Sequence, residues 1–163
     1  MSGAATLRER AWAVAAQIVD PEIPVLSIAD LGVLREVRVA GDTVEVVITP
    51  TYSGCPAMRM IELEIETALR AAGIDKLRIS TVLSPAWTTD WLSDAGRRKL
   101  TEYGIAPPQG ATPRRALFAA DAIACPRCGS PDTERLAEFG STSCKALYRC
   151  RACAEPFDYF KCH

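Results

Sequence analysis

The chain has a single histidine, His163, and it is the last residue of the sequence. That leaves no Ser/His/Asp or Cys/His set for nucleophilic catalysis and no HExxH helix for a metalloprotease zinc. Walker and GxGxxG loops are absent, and so is any Glu-x-x-His pair that could build a di-iron centre. Net charge is also lacking: 19 Lys and Arg nearly balance 20 Asp and Glu, leaving −1. General attraction to nucleic acid or to an anionic membrane is therefore not expected. No apolar run is long enough to span a bilayer. The N-terminal "MSGAATLRERAWAVAAQIVD" lacks a signal peptide's layout, because Arg8, Glu9 and Arg10 break its apolar stretch. The expected compartment is the reducing cytoplasm, where thiols persist as thiols or metal thiolates.

Against these absences stand seven cysteines, an odd number that argues against a purely disulfide framework. With 48% hydrophobic and 24% charged residues, the chain can build a packed core. Its 163 residues suit one compact domain with a small appendage.

Residues 7–19 place Leu7, Ala11, Val14, Ala15 and Ile18 on one helical face, with Pro21 ending the helix. "SIADLG" predicts a short helical turn capped by Ser27 and stopped by Gly32. Val33, Val37 and Val39 precede Gly41-Asp42, and Val44, Val46 and Ile48 follow it with period two, which predicts a β-hairpin. A second long helix is expected from Pro56 to about residue 72, with Met60, Ile61, Leu63, Ile65, Ala68 and Leu69 apolar. "KLRISTVL" reads as a third strand. "TTDWLSDAGRRKLTEYG" reads as a third helix, capped by Thr88 or Thr89 and stopped by Gly104. The fold class is α+β: a small α-β-β-α-β-α sandwich over residues 1–104, a proline-bearing linker over 105–123, and a C-terminal ribbon over 124–163.

Cys125-x-x-Cys128 and Cys150-x-x-Cys153 make two knuckles separated by 21 residues, just beyond the usual zinc-ribbon window. Thiolates two residues apart in a tight turn can reach one ion, and two such turns complete a tetrahedral site. Zn(2+) suits closed sulfur coordination, and such a site has no open position for catalysis. Cys144 and Cys162 remain, each beside a lysine; they read either as a second metal or redox pair or as small buried hydrophobes. His163 reads as a solvated end and not as a ligand.

Cys55 stands apart, in "TYSGCPAM", between a strand end and a helix start. Free amides and the helix dipole there favour a thiolate; a partly buried, weakly capping cysteine is the plainer alternative. Asp20 and Glu22, on the turn "DPEIP", would line a site with Cys55 if the two segments converge, although turn chemistry alone also selects Asp and Pro. Trp87 and Trp91, flanking "TTD", are expected to anchor a partner interface, with a core role for Trp91 as the alternative.

"DPEIPVLSIADLGVLREV" followed by "TYSGCPAM" resembles the small domain of cytosolic iron–sulfur assembly factors, the SufT-like proteins included. With "PAWTTDWLSDAGRRKLTEYGIAPP" and "EFGSTSCKALYRCRACAEPFDYFKC", the whole chain resembles the PaaD family of phenylacetyl-CoA epoxidase systems. The resemblance implies an accessory or maturation factor in aerobic phenylacetate catabolism, not catalytic alone. It would assist iron–sulfur or iron insertion into the flavoprotein reductase or the oxygenase, which are the implied partners. It raises Cys55, Asp20 and Glu22 as residues for transfer of iron or a transient iron–sulfur cluster. A single thiol would need a homodimer or a client's cysteines. The alternative is a structural subunit that stabilises the oxygenase without handling metal; a nucleic-acid-binding ribbon is disfavoured by the absence of a basic stripe.

Overall fold

The computed structural model describes residues 5–108 and 123–161. These form two compact units, 1–93 and 94–163, each with its own small sheet. The α+β class holds. The division falls between Ser93 and Asp94, whereas the sequence pattern suggests a border at 104.

In the first unit, helix α1 (Leu7–Ala15) opens on a capping box: Thr6 accepts from the Glu9 amide, and Glu9 receives the Thr6 amide. It is shorter than the expected 7–19. Three-residue (3-10-type) bonds from the Gln17 and Ile18 amides to the Val14 and Ala15 carbonyls tighten its end. The chain then turns extended, so that Val19 bridges Ser27 and the Ile28 amide reaches the Ile18 carbonyl at 2.8 Å. A second capping box, Ser27 with Asp30, starts the one-turn helix α2 (Ile28–Leu31). Gly32 ends it with φ +80°, and a Cβ there would sit 2.6 Å from the Trp91 Cβ, so both conformation and space demand glycine.

Strands β1 (Leu34–Ala40) and β2 (Thr43–Ile48) form the expected antiparallel hairpin around Gly41-Asp42. Helix α3 (Ala57–Ala71) crosses over to β3 (Leu77–Thr81), which pairs parallel with β2, giving the order β1-β2-β3. Val44, Val46 and Ile48 are buried, while Glu45 on the alternate side of β2 bonds Arg78 and Ser80. Helix α3 buries Ala57, Met58, Ile61, Ile65 and Leu69; Met60 and Leu63, counted as apolar-face positions from the sequence, are exposed.

The predicted third helix is two pieces. Thr88 caps a 3-10 turn over Thr89–Trp91, Leu92 is extended, and α4 (Asp94–Tyr103) begins only afterwards. The break arises because the Ser93 amide and hydroxyl both bond Asp30, at 2.8 and 3.1 Å. Trp87 is 4% exposed and its indole N–H donates to the Leu31 carbonyl at 2.8 Å. The expected interface anchor is therefore a core residue. Trp91 is partly buried, with the Arg35 guanidinium 3.5 Å above its ring.

In the second unit, α4 leads into β4 (Ile105–Ala106), which pairs parallel with β7 (Pro156–Phe160). This pairing joins residues at the start of the expected linker to the ribbon sheet. With β5 (Thr133–Ala137) and β6 (Lys145–Cys150), the sheet order is β4-β7-β6-β5. A small core of Ala106, Ile123, Cys125, Cys150 and Phe157 is flanked by Tyr148 and Tyr159. Among the described residues no buried side-chain nitrogen or oxygen lacks a partner, and no helix is long and apolar enough to cross a membrane.

Candidate metal centre and the Cys55 loop

Two equivalent turns build the sulfur cluster. In the first, the Gly129 amide bonds the Cys125 carbonyl at 2.9 Å, Gly129 takes φ +75°, and the Cys125 amide bonds the Ser130 carbonyl at 2.9 Å. In the second, Ala154 occupies the position of Gly129 with φ +64°, and the Cys150 amide bonds the Glu155 carbonyl at 2.9 Å. The left-handed residue after each C-x-x-C closes the knuckle. The alignment of Gly129 with Ala154 in "CPRCG" and "CRACA" carries that signal in the sequence.

The β5–β6 hairpin brings the knuckles together. The Cys125 and Cys153 sulfurs lie 3.8 Å apart, those of Cys128 and Cys150 lie 3.5 Å apart, and all four fall within 4.8 Å of one another. A tetrahedral zinc–thiolate site with bonds of about 2.3 Å has sulfur–sulfur edges of about 3.8 Å. The donor set and its spacing therefore fit a four-thiolate metal site. Cys125 and Cys150 are buried, and Cys128 and Cys153 are exposed.

The thiol chemistry points the same way. The Cys153 amide, aided by the Cys128 thiol and the Ala152 amide, draws Cys150 down to about 7 against desolvation. The Glu155 amide favours a Cys153 thiolate, yet desolvation and the three neighbouring sulfurs push that thiol up to about 12. At Cys128 the Ser130 amide is likewise outweighed, chiefly by the Cys150 sulfur and desolvation, and the thiol rises. One negative charge is accommodated and further ones repel; a dication at the centre removes that conflict.

Outside the cluster, Glu134 bonds Arg149 with one oxygen and Arg151 with the other, the latter at 3.0 Å. The Arg151 amide reaches the Asp132 carbonyl at 2.9 Å, so the residue next to Cys150 is held from the start of β5. These pairs carry no signal at short sequence range, because β5 and β6 meet only through the hairpin. Cys144 is buried, with the Thr142 hydroxyl 3.0 Å from its sulfur, and Lys145 beside it is also buried. Cys162 and His163 lie outside the described residues.

Cys55 sits in the turn between β2 and α3, its amide bonded to the Tyr52 carbonyl and its carbonyl to the Met58 amide, each at 3.3 Å. Glu22 and Asp20 of "DPEIP" both act electrostatically on the Cys55 thiol. The direction differs from the dipole-based expectation. Burial pushes the thiol up, and Glu22 and Asp20 add to this, against the Ala57 amide and the Tyr52 hydroxyl. Desolvation and two nearby carboxylates outweigh the helix N-terminus. Asp20 is only 7% exposed, and its Oδ1 accepts from the Glu22 amide at 2.8 Å and the Ile23 amide at 2.9 Å. Glu22 is half-buried. Tyr52 as a thiol partner went unread in the sequence, although it stands three residues before Cys55.

Comparison with known proteins follows the same division. A family model described as an iron–sulfur cluster assembly protein matches residues 8–80, and one described as a PaaD zinc β-ribbon domain matches residues 109–161. A crystal structure of a domain of unknown function (DUF59) from Bacillus anthracis is similar in fold, with TM-score 0.53 and 21% identity, over 57% of this chain and 90% of that one. A conserved hypothetical protein of Thermotoga maritima aligns at TM-score 0.49 and 25% identity, over 61% of this chain and 98% of its own. A protein of Escherichia coli (strain K12), named as the D component of a "Putative 1,2-phenylacetyl-CoA epoxidase", is 50% identical over 151 residues, 93% of this chain and 90% of that protein. An assembly-type domain, a four-cysteine β-ribbon and half-identity along nearly the whole length mean that this chain belongs to the PaaD family of phenylacetyl-CoA epoxidase components.

Proposed function

We propose that this protein is an accessory maturation factor of a phenylacetyl-CoA epoxidase system, assisting insertion of iron or an iron–sulfur cluster into the reductase or the oxygenase. The observation that carries this reading is that Cys55 lies inside the segment that matches an iron–sulfur assembly family, where the charges of Glu22 and Asp20 both act on its thiol. A soft sulfur together with a hard carboxylate oxygen suits transient capture of iron, and one thiol is too few donors for a stable cluster. The remaining donors would come from the client or from a second copy of the chain. The ribbon takes a different part: Cys125, Cys128, Cys150 and Cys153 would hold one Zn(2+), closed to substrate and structural in effect. Work of this kind belongs in the reducing cytoplasm, where neither thiol set is oxidised.

The test is reconstitution. Purified protein, loaded with ferrous iron and sulfide, is added to metal-free reductase and separately to metal-free oxygenase, and the gain in activity of each is measured. Wild-type protein should restore one of them; Cys55→Ser should fold, keep its zinc and fail. A Cys55→Ser variant that fully supports growth on phenylacetate would end the transfer reading. Exposed Met60 and Leu63 on α3 favour the second reading, a structural subunit seated on the oxygenase. Stoichiometric co-purification with the oxygenase, and loss of activity when the protein is removed after maturation, would favour that one.

A further inference from the structure

Asp20 and Glu22 enter the transfer reading as equivalent oxygen donors, yet their surroundings differ. The Asp20 carboxylate is buried, and one of its oxygens already receives two backbone N–H groups, from Glu22 and Ile23. The same residue's amide donates to the Leu26 carbonyl at 2.8 Å, and the Leu26 amide donates to the Ile23 carbonyl at 2.9 Å. Residues 20–26 are thus closed by one side chain and two main-chain bonds, with the Val19–Ser27 bridge sealing the base. Ile23, only 1% exposed, anchors the loop in the core. An oxygen that accepts two N–H groups has little lone-pair capacity left for a metal, and withdrawing it would orphan both amides. Glu22 lies on the stretch of loop this network holds, with its side chain half-buried.

We propose that Asp20 is a positioning residue: its buried carboxylate folds residues 20–26 into a fixed loop and thereby sets where the Glu22 carboxylate stands. This deepens the transfer reading and rests on it for the purpose of the loop, but not for the loop's construction. Of the two acidic residues, Glu22 is then the donor toward a metal and Asp20 the frame.

Amide hydrogen exchange on the full-length protein, read by peptide mass spectrometry, tests this without any metal. Asp20→Ala should speed exchange at Glu22 and Ile23 by about ten- to a hundred-fold, the loss expected for a hydrogen bond to a charged acceptor. Cys55 should alkylate faster as the loop opens, while zinc content stays at the wild-type level. Asp20→Asn retains an acceptor oxygen and should stay within a few-fold of wild type, which keeps the test valid where the alanine variant fails to fold. In the reconstitution assay Asp20→Asn should retain transfer and Glu22→Gln should lose it. Unchanged exchange in Asp20→Ala would overturn the proposal, as would an Asp20→Asn protein with a wild-type loop and no transfer, since that would make Asp20 a ligand. A loop that opens in Asp20→Ala while Cys55→Ser still supports growth would leave the positioning role standing and remove the transfer function instead.

Discussion

The two units reach order by different means. Nine of the twelve largest fully buried side chains in the described residues belong to 1–93, and only Leu100, Ile123 and Phe160 belong to 94–163. The first unit therefore has an aliphatic core large enough to fold by burial. The second counts two of its metal-centre cysteines, Cys125 and Cys150, among its few core residues. In a unit that small, a metal held by the four thiolates would supply what the core does not. The cysteines differ accordingly. Those of the ribbon are mutually crowded, all four sulfurs within 4.8 Å, while Cys55 is a lone, half-buried thiol whose titration is set chiefly by desolvation.

The sharpest way to break this comparison is to remove the metal. Chelation, or Cys153→Ala, should abolish the protected amides of β5–β7 while leaving the exchange pattern of β1–β3 intact, read by peptide-resolved hydrogen exchange. The loss should be large, since structural zinc contributes about 10 kcal/mol or more of apparent binding free energy. Equal loss in both units would show that the first also depends on the ion.

Next in size is Trp87→Ala. It empties a core site and orphans the Leu31 carbonyl, so the first unit should lose about 3–5 kcal/mol in denaturant unfolding, with zinc content unchanged. Ala154→Gly should act on the ribbon alone and in the stabilising direction. Relief of an alanine held at φ +64° is worth up to about 1 kcal/mol after the added flexibility of the unfolded chain, measurable as slower zinc release to a chelator.

The smallest effect concerns pH in the first unit. The Ser80 hydroxyl and then the Arg78 guanidinium hold the Glu45 carboxyl below the ordinary glutamate value of 4.5, with Arg38 adding to this. A carboxyl lowered in the folded state stabilises above its unfolded pKa, and that contribution disappears as pH falls through the folded value. Glu45→Gln should flatten the fall in stability below about pH 4.5, with at most a small change at pH 7, as expected of a solvent-screened ion pair.

Much of this molecule follows from local rules. Gly41-Asp42 between alternating valines specifies the β1–β2 hairpin, because only that register buries Val44, Val46 and Ile48 together. Ser27 with Asp30, then Gly32, define α2 at both ends. The two C-x-x-C pairs identify the sulfur cluster by spacing alone. All of these signals span a few residues or a strict repeat. The misread elements instead involve partners far apart in sequence. The predicted third helix divides because Ser93 bonds Asp30, and Trp87 is core because the Leu31 carbonyl lies within reach of its indole. Helix α1 stops early because Ile18 pairs with Ile28.

By itself, then, the sequence determined the hairpin, the caps, the crossover helix and the four-sulfur cluster, since each is written in short-range pattern and backbone preference. Only the tertiary structure decided which titratable groups share an environment. It committed the Asp20 carboxylate to two amides, set the charges of Glu22 and Asp20 acting on the Cys55 thiol, and let burial outweigh the helix dipole there. Charge and desolvation act through space, and no spacing along the chain records what surrounds a residue once the chain has folded.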